Sequence, residues 1–189
     1  MSQRARAGVV SGERWVVDFD WPQDDRASVL RRWVADAETA GARAMRAVDS
    51  SAARLDSFAA VDVPMPRLPG ARRTTVEPIR VIEGASNGRA AAFHYVVETD
   101  VLAEAEKDFN AWYECEHLAG LAAVAGTIRA MRYLRADAQP RYGACYDLES
   151  RDTLGCPAWL AVRATPWSAR IRPAFRNTTR TLYRIEHLA

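Results

Sequence analysis

Lysine is almost absent from this chain: Lys107 is the single one among 26 basic residues. Arginine takes its place, which we read as genome composition before function. Cysteine is scarce too. Cys115, Cys145 and Cys156 are odd in number, widely spaced and without a CxxC pair, which argues against a disulfide framework or a structural zinc site. No run of about 18 uncharged apolar residues is present, so no membrane-spanning helix is expected. The first 14 residues are polar and arginine-rich with no apolar core, unlike a secretory signal. The expected location is therefore the cytoplasm. Charge of one sign is also lacking. The net charge is +2, and basic residues are interleaved with acidic ones without an unbroken stripe, so nucleic acid is not an expected partner. Phosphate loops, GxSxG elbows and dinucleotide fingerprints are missing.

What remains is an ordinary globular composition, 49% hydrophobic and 26% charged over 189 residues. That length suits one sizeable core or two units of about 90 residues each. Residues 1–13 read as an arm. Residues 14–88 begin with a strand, Arg14–Phe19, and a helix over Arg26–Thr39 that carries Val29, Leu30, Trp33, Val34 and Ala37 at helical spacing. Strands follow over Ala42–Val48, Leu55–Val63 and Thr74–Glu83, where Pro78 calls for an edge or a bulge. Pro64, Pro66, Pro69 and Gly70 interrupt regular structure, and Gly84–Gly88 is the linker.

Residues 89–189 are more regular. A strand over Ala91–Glu98 leads, through Thr99 or Asp100 as cap, into a helix over Leu102–Leu118. Strands over Thr127–Arg135 and Arg141–Leu148 precede a helix over Thr153–Thr165, disturbed by Pro157. An irregular stretch from Pro166 leads to a last strand, Arg180–Glu186. The order β-α-β-β-α-β is that of an α+β, ferredoxin-like unit, whose open sheet face needs a second unit against it. The first half supplies one in outline. Arg43-Ala44-Met45-Arg46 repeats as Arg129-Ala130-Met131-Arg132, Trp33 matches Trp112, and Arg14–Phe19 matches Phe93–Glu98. Two tandem units forming an α/β barrel, the first one degenerate, are the expected architecture.

The informative segment is Phe109-Asn110-Ala111-Trp112-Tyr113-Glu114-Cys115-Glu116-His117. Phe109, Trp112, Tyr113, Glu116 and His117 share one α-helical face. An aromatic stripe that ends in a carboxylate and an imidazole is costly to bury without partners, so it marks a pocket. On this reading His117 is acid or base, Glu116 orients it and Tyr113 hydrogen-bonds a substrate. Phe109 and Trp112 are the apolar wall. The helix end and the neighbouring Glu116 are expected to favour imidazolium. His94 and Tyr95 point to opposite faces of their strand, and whichever faces the helices reaches the pocket. Arg132 and Tyr142 are further substrate-binding candidates. Asp147 and Glu149, at a strand end, are expected to be solvated, and His187 exposed. No metal ligand set and no cofactor are expected.

The segment FNAWYECEHL, the glycine-containing loop after it and the strand IRAMRYL resemble the dimeric α/β-barrel superfamily, in particular its EthD-like branch. Trp112-Tyr113 and His117 match an aromatic-Tyr-x-x-x-His pattern on the first helix, and Pro166-Trp167-Ser168-Ala169-Arg170 also looks like this group. Ala125-Gly126 stands where Pro-Gly is usual. The resemblance covers residues 91–189 and implies a pocket between sheet and helices for a small molecule. It leaves room for a homodimer. It implies proton-transfer chemistry without a cofactor (isomerisation, cyclisation or elimination) on an aromatic, lactone or polyketide-like molecule. The alternatives are cofactor-free monooxygenation of a phenol and a non-catalytic ligand-binding barrel.

Overall fold

The structure is a computed structural model that describes residues 14–21, 31–32, 34–36, 42–57 and 70–186. Eight antiparallel strands close into one barrel within a single chain: β1 (Trp15–Asp20), β2 (Arg43–Ala47), β3 (Ala52–Ser57), β4 (Arg72–Glu83), β5 (Phe93–Val101), β6 (Thr127–Arg135), β7 (Tyr142–Leu148) and β8 (Phe175–Glu186). Their order around the barrel is β1-β3-β2-β8-β5-β7-β6-β4. It splits into β4-β1-β3-β2 and β8-β5-β7-β6, the ferredoxin-like strand order twice over. The two halves join through β2–β8 and β4–β6. The face that a lone unit would leave bare is thus covered by the other half of the same chain.

Each strand sends alternate side chains inward and outward. Inward, Val16, Met45, Val76, Val96, Met131, Tyr133, Cys145 and Tyr183 form an apolar layer. Charged networks flank it. In one, Arg43 donates to both oxygens of Asp56 (3.0 and 2.7 Å) and to Asp147 Oδ2 (3.0 Å). Arg129 Nε adds a bond to Asp147 Oδ2 at 3.0 Å. In the other, Arg54 donates to Asp18 and Glu98, and Tyr133 and Arg135 also donate to Glu98. Arg43 faces Asp56 across β2–β3 as Arg129 faces Asp147 across β6–β7. The repeated Arg-Ala-Met-Arg therefore occupies equivalent places. The strand correspondence expected from sequence is one residue off. Val16 opposes Asp56 as His94 opposes Asp147, so Val16 matches His94 and Trp15 matches Phe93.

Outward, β5–β8 pack on three helical segments. The first, α1, runs through Glu106–Trp112, a wider π-helical turn at Tyr113–His117, and Leu118–Ala122. A 3₁₀ turn, Ala103–Ala105, starts it without a side-chain cap. Asp100 instead accepts from the Arg141 backbone, so the expected cap is not made. The expected helix over Thr153–Thr165 is divided. Ser150 caps a 3₁₀ turn at Arg151–Gly155, and α2 (Pro157–Arg163) begins afresh with Pro157 in its first turn, where a missing N–H costs nothing. The stretch from Pro166 is a helix rather than irregular. Thr165 caps α3 (Pro166–Ile171) by accepting from Ser168 N. Strand β8 begins five residues earlier than expected, at Phe175.

The bulge at Pro78 is present in β4. In the first half, residues 31–32 and 34–36 are helical, and Val34 is buried with Trp15, Val17, Phe19 and Leu55. Trp33, the Pro64–Pro69 stretch and His187 lie outside the described residues. Among the described residues, no helix is long and apolar enough to cross a membrane.

Candidate functional site

The aromatic stripe of α1 faces inward. Phe109, Trp112, Tyr113 and His117 are all buried. A regular helix would carry Glu116 on the same face. The π-helical turn, closed by Leu118 N–H to Tyr113 O, changes the phase there. Glu116 is turned out and accepts from Thr165 Oγ1 at 2.6 Å. His117 is brought flat against Trp112, ring centroids 3.9 Å apart. Trp112 is fixed in turn by its Nε1–H to Ser168 Oγ (3.2 Å). Asp108 accepts from Trp167 and Arg170, which ties α3 to α1. The Pro166–Arg170 motif therefore holds the tryptophan that backs the histidine.

His117 lines a cavity of about 30 Å³ together with Tyr95, Trp112, Tyr113, Tyr146, Trp159 and Phe175. That is room for roughly two waters. Tyr95 and Arg180 also border an outer groove of about 650 Å³, so the two spaces adjoin at these residues. Two residues lining the cavity, His117 and Tyr146, each carry a buried polar atom without a hydrogen-bond partner, Nδ1 and Oη. Val97, Leu121, Arg163, Arg172 and Arg180 complete the lining.

These surroundings decide the state of His117. Burial, then the charges of Arg172 and Arg163, lower its pKa from 6.5 to about 3. The imidazole is neutral at physiological pH, opposite to the imidazolium expected from sequence. The expectation failed for two reasons: α1 continues past His117 to Ala122, so no helix end faces it, and Glu116 pairs with Thr165. Burial pushes Tyr113 up to about 12, so it is a phenol that can donate.

The other sequence candidates separate. Tyr95 lines the cavity, whereas His94 points into the barrel and bonds Asp147 Oδ1 through Nδ1 at 2.7 Å. Phe109 is fully buried, edge-on to Tyr113, Tyr142 and Phe175, behind the wall rather than in it. Arg132 lies over the rings of Phe109, Tyr113 and Tyr142 and donates to Asn110 Oδ1 at 2.6 Å. Tyr142 donates to Glu106. None of these four lines the cavity. Asp147 is buried rather than solvated.

Sequence reasoning missed Tyr146, Trp159 and the three arginines. One signal was available for the arginines: residues 153–185 contain six Arg and neither Asp nor Glu. The interleaving of charges noted for the whole chain fails in that stretch.

No protein-family profile matches this chain, and no curated protein sequence does. Solved structures do. A ferredoxin-fold protein related to antibiotic biosynthesis monooxygenases from Listeria monocytogenes 4b F2365 superposes with a TM-score of 0.59 at 10% identity, covering 93% of this chain and 96% of that one. An anthrone oxidase-like protein gives 0.60 at 14%, covering 94% and 93%. A haem-degrading enzyme from Listeria monocytogenes gives 0.60 at 9%, covering 91% and 99%. At such identities the likeness establishes the fold, a ferredoxin-like α+β barrel.

The haem neighbour raises a question of fit. An axial histidine needs a slot for the macrocycle beside an available ring nitrogen. Here one face of His117 is covered by Trp112, Nδ1 is sealed, and the cavity is about 30 Å³. These residues do not fit a haem. Among the described residues, no cluster of three His, Cys, Asp or Glu side chains is placed to hold a metal ion.

Proposed function

We propose that this chain is a cofactor-independent monooxygenase of a small, electron-rich phenolic or anthrone-like molecule, with His117 as the base that starts the reaction. The observation that carries this reading is a neutral, buried imidazole whose Nδ1 has no hydrogen-bond partner, lining an aromatic-walled cavity that adjoins a groove. A neutral imidazole has a lone pair that can accept a proton, and a phenol that donates, such as Tyr113, can steady the oxyanion that forms. The cavity admits the reacting edge of the substrate, and the groove over Tyr95 takes the rest. The anthrone oxidase-like neighbour and the monooxygenase-related one support this choice over isomerisation.

The chemistry needs only dioxygen as oxidant. His117 removes a proton from the activated carbon, and the carbanion passes an electron to dioxygen. The radical pair forms a C–O bond, and the peroxide anion takes the proton back from His117 to give a hydroperoxide. Loss of water leaves a ketone. One anthrone and one dioxygen give one anthraquinone and one water. Glu116 acts at a distance in this scheme, as a positioning residue that ties α1 to Thr165.

Trp112, Tyr113 and His117 all line this cavity, which supports placing the chain near the EthD-like branch of the dimeric α/β-barrel superfamily. Its three free thiols suit a reducing, cytoplasmic location.

Proton transfer without oxygen is the second reading, because the same neutral base would serve it. An oxygen electrode with anthrone separates the two. Stoichiometric oxygen uptake with anthraquinone formed above the uncatalysed rate is expected. Turnover of an activated ketone without oxygen uptake would favour the isomerase reading. Binding without turnover would leave a ligand carrier.

A further inference from the structure

Arg163, Arg172 and Arg180 reach the cavity from three separate places: the last turn of α2, the residue after α3, and strand β8. The barrel's buried guanidinium groups each have compensation. Arg54 and Arg135 bond Glu98, and Arg132 lies among three rings and bonds Asn110. Arg163, Arg172 and Arg180 have no ion pair and no side-chain hydrogen bond among the described residues. They repel one another instead. Burial, followed by the charges of Arg163 and Arg180, lowers the pKa of Arg172. Residues 153–185, which supply all three, contain no acid.

Arg163 and Arg172 are half-buried and Arg180 is exposed, and like charges that converge in this way without a counter-charge favour a ligand that supplies it. The second, independent observation is that two residues lining the same cavity, His117 and Tyr146, each carry a buried polar atom without a partner, Nδ1 and Oη. The rest of the wall is mostly aromatic, with Tyr95, Trp112, Tyr113, Trp159 and Phe175 beside Val97 and Leu121. Asp49 and Asp152 are the acidic residues of the adjoining groove, where Arg151 joins Arg180.

We infer that the site selects an anionic aromatic ligand, an aryl carboxylate or an equally charged enolate, whose anionic group sits among Arg163, Arg172 and Arg180 while its ring lies over Tyr95. This rests on the reading of the cavity as the substrate site. It adds a consequence for catalysis. The ligand's charge offsets the two arginines that add to burial in keeping His117 at low basicity, so their part of that effect is relieved when substrate arrives.

The test is calorimetric titration with 2-naphthoate and with its neutral isostere 2-naphthamide. The carboxylate is expected to bind at least about tenfold more tightly, with a preference that shrinks as salt is raised. The double variant Arg163→Gln/Arg172→Gln should lose the preference. The double variant Arg163→Lys/Arg172→Lys should keep most of it, which separates charge from a folding defect. Equal affinities, no binding of the carboxylate, or a preference that survives the glutamine variant would overturn the inference. Complete displacement of naphthoate by inorganic phosphate at matched ionic strength would overturn its aromatic half. His117→Ala should retain the preference, so a failure of the oxygenase reading leaves this result standing on its own.

Discussion

His117 lies on the face of Trp112, with ring centroids 3.9 Å apart and planes 20° from parallel. The contact orients the imidazole without using either of its nitrogens, which suits a base that must stay free. His117→Gln keeps the size and polarity of the residue but cannot accept a proton at that point. It should lower anthrone-dependent oxygen uptake by about 10²–10⁴-fold, while thermal unfolding stays close to that of the parent. A variant that keeps its turnover would remove His117 from the mechanism. Trp112→Ala should act differently. It empties a fully buried site and should cost about 3–5 kcal/mol of stability, visible as a lower denaturation midpoint.

The depressed pKa of His117 contributes to the pH dependence of folding. The group binds its proton near 6.5 when unfolded and near 3 when folded. Between those values the unfolded chain holds the extra proton, so stability is fully present above about pH 6.5 and falls as pH drops toward 3. Urea unfolding midpoints measured from pH 7 to pH 4 should decline in the parent, and less in His117→Gln. A parallel decline in both would show that other groups carry the slope. The free enzyme's kcat/KM should also lack an acid limb near 6.5, where an unperturbed histidine would place one.

Asp147 is held by three partners: His94 (2.7 Å), Arg43 (3.0 Å) and Arg129 (2.8 Å). Burial opposes its ionisation, but the His94 hydrogen bond and the charges of Arg43 and Arg129 outweigh it and keep the carboxyl well below the usual range. Asp147→Asn leaves Arg43 and His94 beside a neutral amide inside the barrel. A loss of about 3–5 kcal/mol is expected from breaking a buried pair in this way. Because Arg43 comes from the first half and Asp147 from the second, the whole barrel should unfold in one weakened transition. Two separate transitions in calorimetry would show that the halves are not coupled through this network.

Much of this architecture was legible in the sequence because it rests on short-range pattern. The alternation in Thr127–Arg135, the β-α-β-β-α-β order and the repeated Arg-Ala-Met-Arg each report a local period, and the barrel contains all of them. The features that escaped depend on departures from a period or on distant partners. A π-helical turn at Tyr113–His117 moved Glu116 off the face that a 3.6-residue repeat assigns it, and nothing in the residue types announces such a turn. The fate of His94 depended on which strand face it shares with Asp147, a one-residue matter. Pro157 and Pro166 read as interruptions, yet each begins a helix whose cap, Cys156 or Thr165, stands immediately before it. The arginines of the cavity were visible only as a stretch without acids.

Gly143 and Tyr133 meet inside the barrel at a place where a side chain cannot be added. They face each other across β6–β7, and a Cβ on Gly143 would lie 2.1 Å from the Tyr133 ring. The ring cannot swing away cheaply. It is 1% exposed, and its hydroxyl is held between Arg54 (3.3 Å) and Glu98 (3.1 Å). Gly143→Ala should therefore destabilise the protein by about 1–3 kcal/mol or more through overpacking, although alanine ordinarily suits a strand at least as well as glycine. Tyr133→Leu alone should also destabilise, by removing the ring and breaking the bond to Glu98. The double variant should be more stable than the sum of the two losses allows, since the shorter side chain clears the new methyl group. The coupling energy from a double-mutant cycle should be about 0.5–3 kcal/mol, in the direction of mutual relief. Simple additivity in chemical denaturation would mean that the strain at Gly143→Ala is relieved by backbone movement of β7 instead of by the ring.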